Sequence, residues 1–460
     1  MGKKISQFTA VTTIASGDYF PVVQASDTTN KRVSLASLST NLQFTQSGTG
    51  ATVRTVDSKL KDFVSVKDFG AVGDGVTDDT AAIQAAVDAA PTGGIVDGLG
   101  LLYLVTSVNL KSNLVFRNFR FKTKGGAVDF VSPVTIGAWY DTNLRTQILI
   151  ENVSVDGNRI NQTNIGPSEN GGRHGFRLIG NVSNVTIRDC SATYCASDGI
   201  ILYAGIGTGP TASAPFFNNI LVQNCVFEWN RRHGMSMDAA DNITFEKCTF
   251  SNNGQDLNGT DPLNSGGRGA RSIGYLYGNG GDIEGYGVGS AISNIRFLEC
   301  IALQNVRDGF TFYDPVLQTD AGFVVSQNIL LSGCLLDKGN GTGGAASTYC
   351  LTFTGGIANR TLGPIYSNIT LRDNYFKDMI LLRSVDKVNL EGGLIGNNGS
   401  VIGQLDYATN ITVGQIQRSN LFFATDTSTV TYPFLPIDST RLLQGVAVTI
   451  ANGATLDLGF

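Results

Sequence analysis

The chain has 460 residues, 42% of them hydrophobic and 15% charged, with 56 glycines, 7 cysteines and a net charge of −5. That composition is ample for a buried core, excludes a disordered chain, and suits a fold of many tight turns better than one of charged helices. The acidic balance argues against a nucleic-acid partner, and no run approaches the ~20 apolar residues of a membrane span.

The opening MGKKISQFTA carries basic residues without an apolar core, so no signal peptide is expected and synthesis is assigned to the cytoplasm. Residues 1–45 form a separate small module, with Phe20-Pro21-Val22-Val23 and Val33-Ser34-Leu35 set among Thr, Ser and Asp. Residues 46–63 are polar and read as a linker or neck. Residues 64–92 begin Val64-Ser-Val-Lys-Asp-Phe-Gly70-Ala-Val-Gly-Asp-Gly75-Val-Thr-Asp-Asp-Thr80 and continue into a helix over Ala81 to Ala90 that Pro91 stops. Asp78, Asp79 and Thr80 offer capping oxygens, and the helix has an apolar face able to cover the end of a solenoid. Turn and capping roles account for Asp74, Asp78 and Asp79, so no metal is expected there, and no cofactor elsewhere.

Residues 93–430 are built from copies. Asn184-Val-Thr-Ile leads to Cys190 and Gly199, Asn219-Ile-Leu-Val to Cys225 and Gly234, and Asn294-Ile-Arg-Phe to Cys300 and Gly309, at identical spacing. Half-copies start at Asn113, Gln147, Asn242, Asn328, Asn368, Lys387 and Asn410. Each unit holds short alternating apolar runs bounded by Asn, Asp and Gly, which predicts strands separated by turns. A short unit repeated with variable insertions predicts an all-β parallel β-helix, in which equivalent residues form columns. Cys190, Cys225, Cys248, Cys300 and Cys334 share one position, held upstream by Phe119 and Val153, so they are expected to be free core thiols. The recurring Asn is expected to bond along the stack or to the turn. Residues 431–460 read as a terminal cap or trimer-forming strands.

A second column precedes the later strand of each unit: His174, Asp198, His233, Glu284 and Asp308, each followed by Gly. The chain has only two histidines, and both fall here. One reading is a set of Asp-Gly and His-Gly turns whose side chains bond neighbouring backbone; these residues also share parity with the inward apolar ones. The other is a groove flank in which Glu284 and Asp308 are the catalytic carboxylates and His233 and Asp198 tune or replace one of them. Trp229, Arg231 and Arg232 on the adjoining turn, with Arg271, Tyr275, Tyr277 and Tyr313 on or beside the insertions, are the expected saccharide-binding residues.

The stretch Val64 to Thr80 with the ladder after it closely resembles the pectate-lyase-like superfamily, found in phage tailspikes, capsule depolymerases and polygalacturonase relatives. The resemblance implies a right-handed β-helix, commonly a homotrimer in the phage members. Ile5-Ser6-Gln7-Phe8, Gly17-Asp18-Tyr19-Phe20-Pro21-Val22-Val23 and Lys31-Arg32-Val33-Ser34-Leu35 resemble the amino-terminal segment of phage tail fibre and tailspike proteins, which implies attachment to the phage tail or baseplate. Arg232-His233-Gly234 only partly matches the Gly-His-Gly of polygalacturonases, whose Asn-Thr-Asp and Arg-Ile-Lys signatures are absent. The expectation is a tailspike on the virion tail that binds and hydrolyses a bacterial surface polysaccharide. A polysaccharide lyase using His233 and Arg232, and a non-enzymatic adhesin, are the alternatives.

Overall fold

The computed structural model describes residues 42–126, 132–138, 141, 143–162, 173–203, 217–255, 278–284, 292–314, 324–339, 349–355, 364–395, 403–406 and 408–413, together with six outlying strands, 19–23, 30–34, 422–425, 429–431, 449–450 and 455–457. Tyr19–Val23 pairs antiparallel with Asn30–Ser34, and Gln43–Thr45 with Val53–Thr55. The segment expected to be a polar linker is therefore partly a hairpin, followed by the short helix Val56–Leu60, where the Thr55 side chain accepts from the Ser58 N–H.

From Phe63 onward the chain is a solenoid of parallel strands. Val96, Phe116, Ile150, Ile187, Val222, Phe245, Phe297, Leu331, Leu371 and Leu390 stand opposite one another in successive coils. A second parallel sheet of 12 strands runs from Val108–Leu110 through Ile200–Tyr203, Met235–Asp238, Gly281–Glu284 and Phe310–Asp314 to Thr449–Ile450. The inward residues alternate with polar outward ones and fill one continuous core, so aromatic rings stack from coil to coil; Phe312 and Phe353 lie 4.3 Å apart and 6° from parallel.

The repeat's Asn has a backbone cause. Asn184, Asn219, Asn242, Asn294, Asn328, Asn368 and Asn410 all have positive φ, from 52° to 60°, at a corner of the coil. Asn tolerates this left-handed conformation better than most L-residues, and its amide then bonds along the stack. The Asn219 Nδ2–H donates to Asn184 Oδ1 at 2.6 Å, Asn328 to Asn294 at 2.9 Å and Asn368 to Asn328 at 2.6 Å. All seven cysteines are buried and free. Thiols of the column donate to carbonyls one coil back, Cys248 to Val222 and Cys300 to Phe245, both at 3.4 Å.

The helix Thr80–Ala89 buries Ile83, Ala86 and Val87 against the first coils. Its capping differs from expectation at one residue. Asp78 accepts from the Thr80 N–H and hydroxyl, but the Asp79 carboxylate accepts from the Val72 and Gly73 N–H groups at 2.6 and 3.0 Å, which ties the preceding loop. At the other end, Thr429–Thr431 pairs in parallel with Thr455–Asp457, and Phe422–Thr425 with Thr449–Ile450. These strands of the segment assigned to a terminal cap extend the same stack.

Candidate active site

The column of polar residues before the second sheet is set by backbone pairing. Gly199 donates to the His233 carbonyl, Gly234 to that of Asn279 and Gly280 to that of Asp308. The residue between His233 and Asp308 is therefore Asn279, and the expected place of Glu284 before Gly285 is corrected. The insertion expected over Ser251 to Asp282 overlaps this strand, since Gly281–Glu284 is itself paired in the second sheet, and residues 256–277 lie outside the described residues. Within the column the inward parity holds: His174, Asp198, His233, Asn279 and Asp308 are all buried.

Burial is matched by hydrogen bonds between coils. The His174 Nδ1 accepts from the Asp198 N–H at 3.3 Å, Asp198 Oδ1 from the His233 N–H at 3.1 Å, and His233 Nδ1 from the Asn279 N–H at 3.0 Å. Asp198 also accepts from the Ser236 hydroxyl and lies 3.5 Å from the Arg232 guanidinium. Burial would raise the pKa of this carboxyl, but the Arg232 guanidinium outweighs it and holds the group well below the usual carboxylate range. Burial pushes both imidazoles below the usual histidine value. Asp198 and His174 thus hold coils together, in line with the turn-and-ladder reading of these residues.

The open chemistry lies one strand further on. Met235 and Met237 point inward, so Ser236 and Asp238 lie on the other face of the strand, Ser236 half-buried and Asp238 buried there; the pairing sets Ser236 opposite Asp282 and Asp238 opposite Glu284. The next coil sets Thr311 beside Asp282 and Tyr313 beside Glu284. Tyr203, one position past the Leu202–Met237 pair, occupies the same outer column as Asp238. An axial row Tyr203, Asp238, Glu284, Tyr313 results, with Asp282 alongside.

Glu284 is half-buried, and its carboxyl is pushed up to about 8, first by burial, then by the Asp282 carboxylate, with Asp238 and Asp198 adding to the repulsion and Arg232 opposing it. The Asn279 Nδ2–H donates to Asp282 Oδ1 at 3.3 Å, and the His233 Nε2 lies 3.2 Å from its Oδ2. Because the Asn279 N–H occupies Nδ1, the proton of the neutral His233 ring is assigned to Nε2, facing Asp282.

Of the expected residues, the structure brings Glu284, His233, Arg232 and Tyr313 to this region. Asp308 is not side by side with Glu284: it stands in the buried column five positions before Tyr313, where the Thr311 hydroxyl donates to its carboxylate at 2.9 Å. Arg231 is buried beside the column, its N–H donating to the Cys195 carbonyl. Trp229 sits on the preceding corner of the coil and packs against Tyr194. Arg271, Tyr275 and Tyr277 lie outside the described residues. The sequence reading missed Asp238, Asn279 and Tyr203, and took Asp282 as part of the insertion, among residues suited to sugars. The alternation of Met235 to Asp238 signals the outward Asp238, but nothing local signals which coil faces it.

Residues 106–255 and 211–355 match the family described as right handed beta helix region, and residues 63–96 match rhamnogalacturonase A/epimerase, pectate lyase-like. The pre-neck appendage protein of Bacillus phage phi29 is 29% identical over 312 residues, covering 63% of this chain and 35% of its own. The tail spike protein of an Escherichia phage is 48% identical over 59 residues, 13% of this chain and 7% of its own. The chain thus spans about a third of the length of the phi29 relative. Among solved structures, PfbA, a surface adhesin of Streptococcus pneumoniae, has TM-score 0.54 and 17% identity over 86% of this chain and 90% of its own. The bacteriophage Phi29 gene product 12 N-terminal fragment has TM-score 0.51 and 18% identity over 88% and 72%. These two structures speak to the fold.

Proposed function

Since the chain belongs to the right-handed β-helix family, we propose that it is a virion tail appendage whose solenoid binds a bacterial surface polysaccharide and cleaves it by hydrolysis. The observation that carries the reading is the cluster of Asp238, Asp282 and Glu284 on adjacent coils, in which burial and the neighbouring carboxylates push the Glu284 carboxyl up to about 8. The phage appendage and tail spike relatives support the setting.

Glu284 is the general acid: its carboxyl keeps its proton near pH 7 and passes it to the glycosidic oxygen as the bond to carbon breaks. Asp282 is the base that takes a proton from the attacking water, oriented by His233 and Asn279. Asp282 and Glu284 lie two positions apart on one strand face, so their α-carbons are about 6.6 Å apart at 3.3 Å per residue, a backbone spacing suited to the ~6.5 to 9.5 Å between the carboxyl groups of inverting enzymes. Tyr203 and Tyr313 at the ends of the row offer faces and hydroxyls to sugar rings. Hydrolysis is favoured over elimination because the Nδ1 lone pair of the neutral His233 ring is taken by the Asn279 N–H, and so the ring lacks the free lone pair of a base. Residues 1–45 are taken as the tail-attachment module, and the assembled form as a homotrimer.

Reducing-end release from purified capsular and O-antigen polysaccharides tests the reading. Wild type releases ends, with inverted anomeric product by proton NMR, and Glu284→Gln does not. Binding without release by wild type would sink hydrolysis and leave an adhesin; an unsaturated product absorbing in the ultraviolet would make the protein a lyase.

A further inference from the structure

We infer that Tyr194 and Trp229 form a second saccharide-binding platform, on the corner of the solenoid that precedes the turn Asn230–His233. It rests on the polysaccharide-binding reading above, but needs no cleavage.

The two rings come from adjacent coils. Thr193 pairs with Glu228, which sets Tyr194 beside Trp229, and the rings lie 6.4 Å apart and 19° from parallel. Tyr194 is 39% exposed and Trp229 half-buried. Both residues have left-handed backbone, φ 53° and 58°. That conformation is uncommon for bulky side chains and marks a position where something other than backbone preference selects the residue. The next two coils show what the backbone alone favours: the equivalent positions are Asn252 and Gln304, with φ 58° and 56°.

The backbone beneath the rings is held in place by one residue. Arg159 is buried; its N–H donates to the Tyr194 carbonyl at 3.0 Å, and its guanidinium to the carbonyls of Trp229 at 3.3 Å and Gln255 at 2.8 Å. A buried cation spent on main-chain carbonyls orders the corner in advance of any ligand, which lowers the entropy cost of binding. Along the axis the row continues as Tyr194, Trp229, Asn252 and Gln304, at ~4.8 Å per coil. Two aromatic rings followed by two side-chain amides match a run of pyranose rings, which present apolar C–H faces and equatorial hydroxyls. The chemistry selects a polysaccharide chain lying along the solenoid axis.

The test uses the full chain and a printed array of purified bacterial capsular and O-antigen polysaccharides, with apparent Kd measured for each one bound. The double variant Tyr194→Asn/Trp229→Asn places at both positions the amide that the neighbouring coil already carries, so it folds with an unchanged or higher Tm. Expected is on the order of tenfold weaker binding by the double variant. Wild-type affinity in the double variant overturns the platform, and if reducing ends are still released, the hydrolase reading stands without it. Platform-dependent binding with no release from any polysaccharide leaves the platform and removes the hydrolase. No binding by wild type to any polysaccharide removes both.

Discussion

The N–H of Asn279 donates to Nδ1 of His233 at 3.0 Å, and this one bond decides which way the ring's proton points. With Nδ1 occupied as an acceptor, Nε2 carries the hydrogen toward Asp282, 3.2 Å away. Protonation at low pH would force Nδ1–H against the Asn279 N–H. Burial already holds His233 and His174 below the ordinary histidine value of 6.5. At these two rings the unfolded chain therefore binds more protons than the folded one below about pH 6.5, and their contribution to stability falls as pH drops through that region. In Glu284→Gln, which lacks the opposing slope of Glu284, the apparent Tm should decrease from about pH 7.5 to about pH 5.5, and adding His174→Asn should shallow the decrease; a pH-independent Tm in that background would contradict the buried neutral rings.

Glu284 carries the opposite slope. Its folded value of about 8 lies far above that of an exposed glutamate, so the folded chain holds the extra proton between about pH 4.3 and 8 and loses stability as pH rises through that interval. Glu284→Gln should remove this term and be more stable than wild type at about pH 9. In turnover, the same substitution should lower kcat by ~10² to 10⁴ with polysaccharide binding retained, and wild type should show a basic limb near pH 8. Urea denaturation on either side of that limb and the pH–rate profile check the two halves separately.

Asn219 tests the corner. It has φ 55°, donates to Asn184 and accepts from Asn242. Asn219→Ala loses both bonds and places alanine in the left-handed region, a cost of about 2 kcal/mol, whereas Asn219→Gly keeps the conformation and loses about 1 kcal/mol. Equal losses in the two variants would show that hydrogen bonding alone selects Asn.

The thiols give a reagent test. With 7 free buried cysteines, Ellman's reagent should find none reactive in the native protein and 7 in denaturant, and dithiothreitol should leave the Tm unchanged. A Tm lowered by reductant would indicate a disulfide.

The sequence by itself determined the solenoid, the register of its first sheet and the Cys and Asn columns. Those features rest on local causes: apolar alternation chooses which side chains point inward, and a left-handed corner selects Asn at a fixed distance from the next strand. It also placed His174, Asp198, His233 and Asp308 in one column, with inward parity correctly favouring their burial. What only the tertiary structure decided is which groups meet on the outer face. The 256–277 insertion hides the phase of the following coil, and only the bond from the Gly234 N–H to the Asn279 carbonyl shows that Asn279, not Glu284, continues the column. Glu284 then falls opposite Asp238 and beside Asp282, and its protonation follows from burial and charges summed over coils that lie far apart in sequence. Tyr194 and Trp229 show the same limit: each alone is an aromatic residue in a turn, and the ~4.8 Å step between coils, a spacing set by backbone hydrogen bonding, makes them a pair.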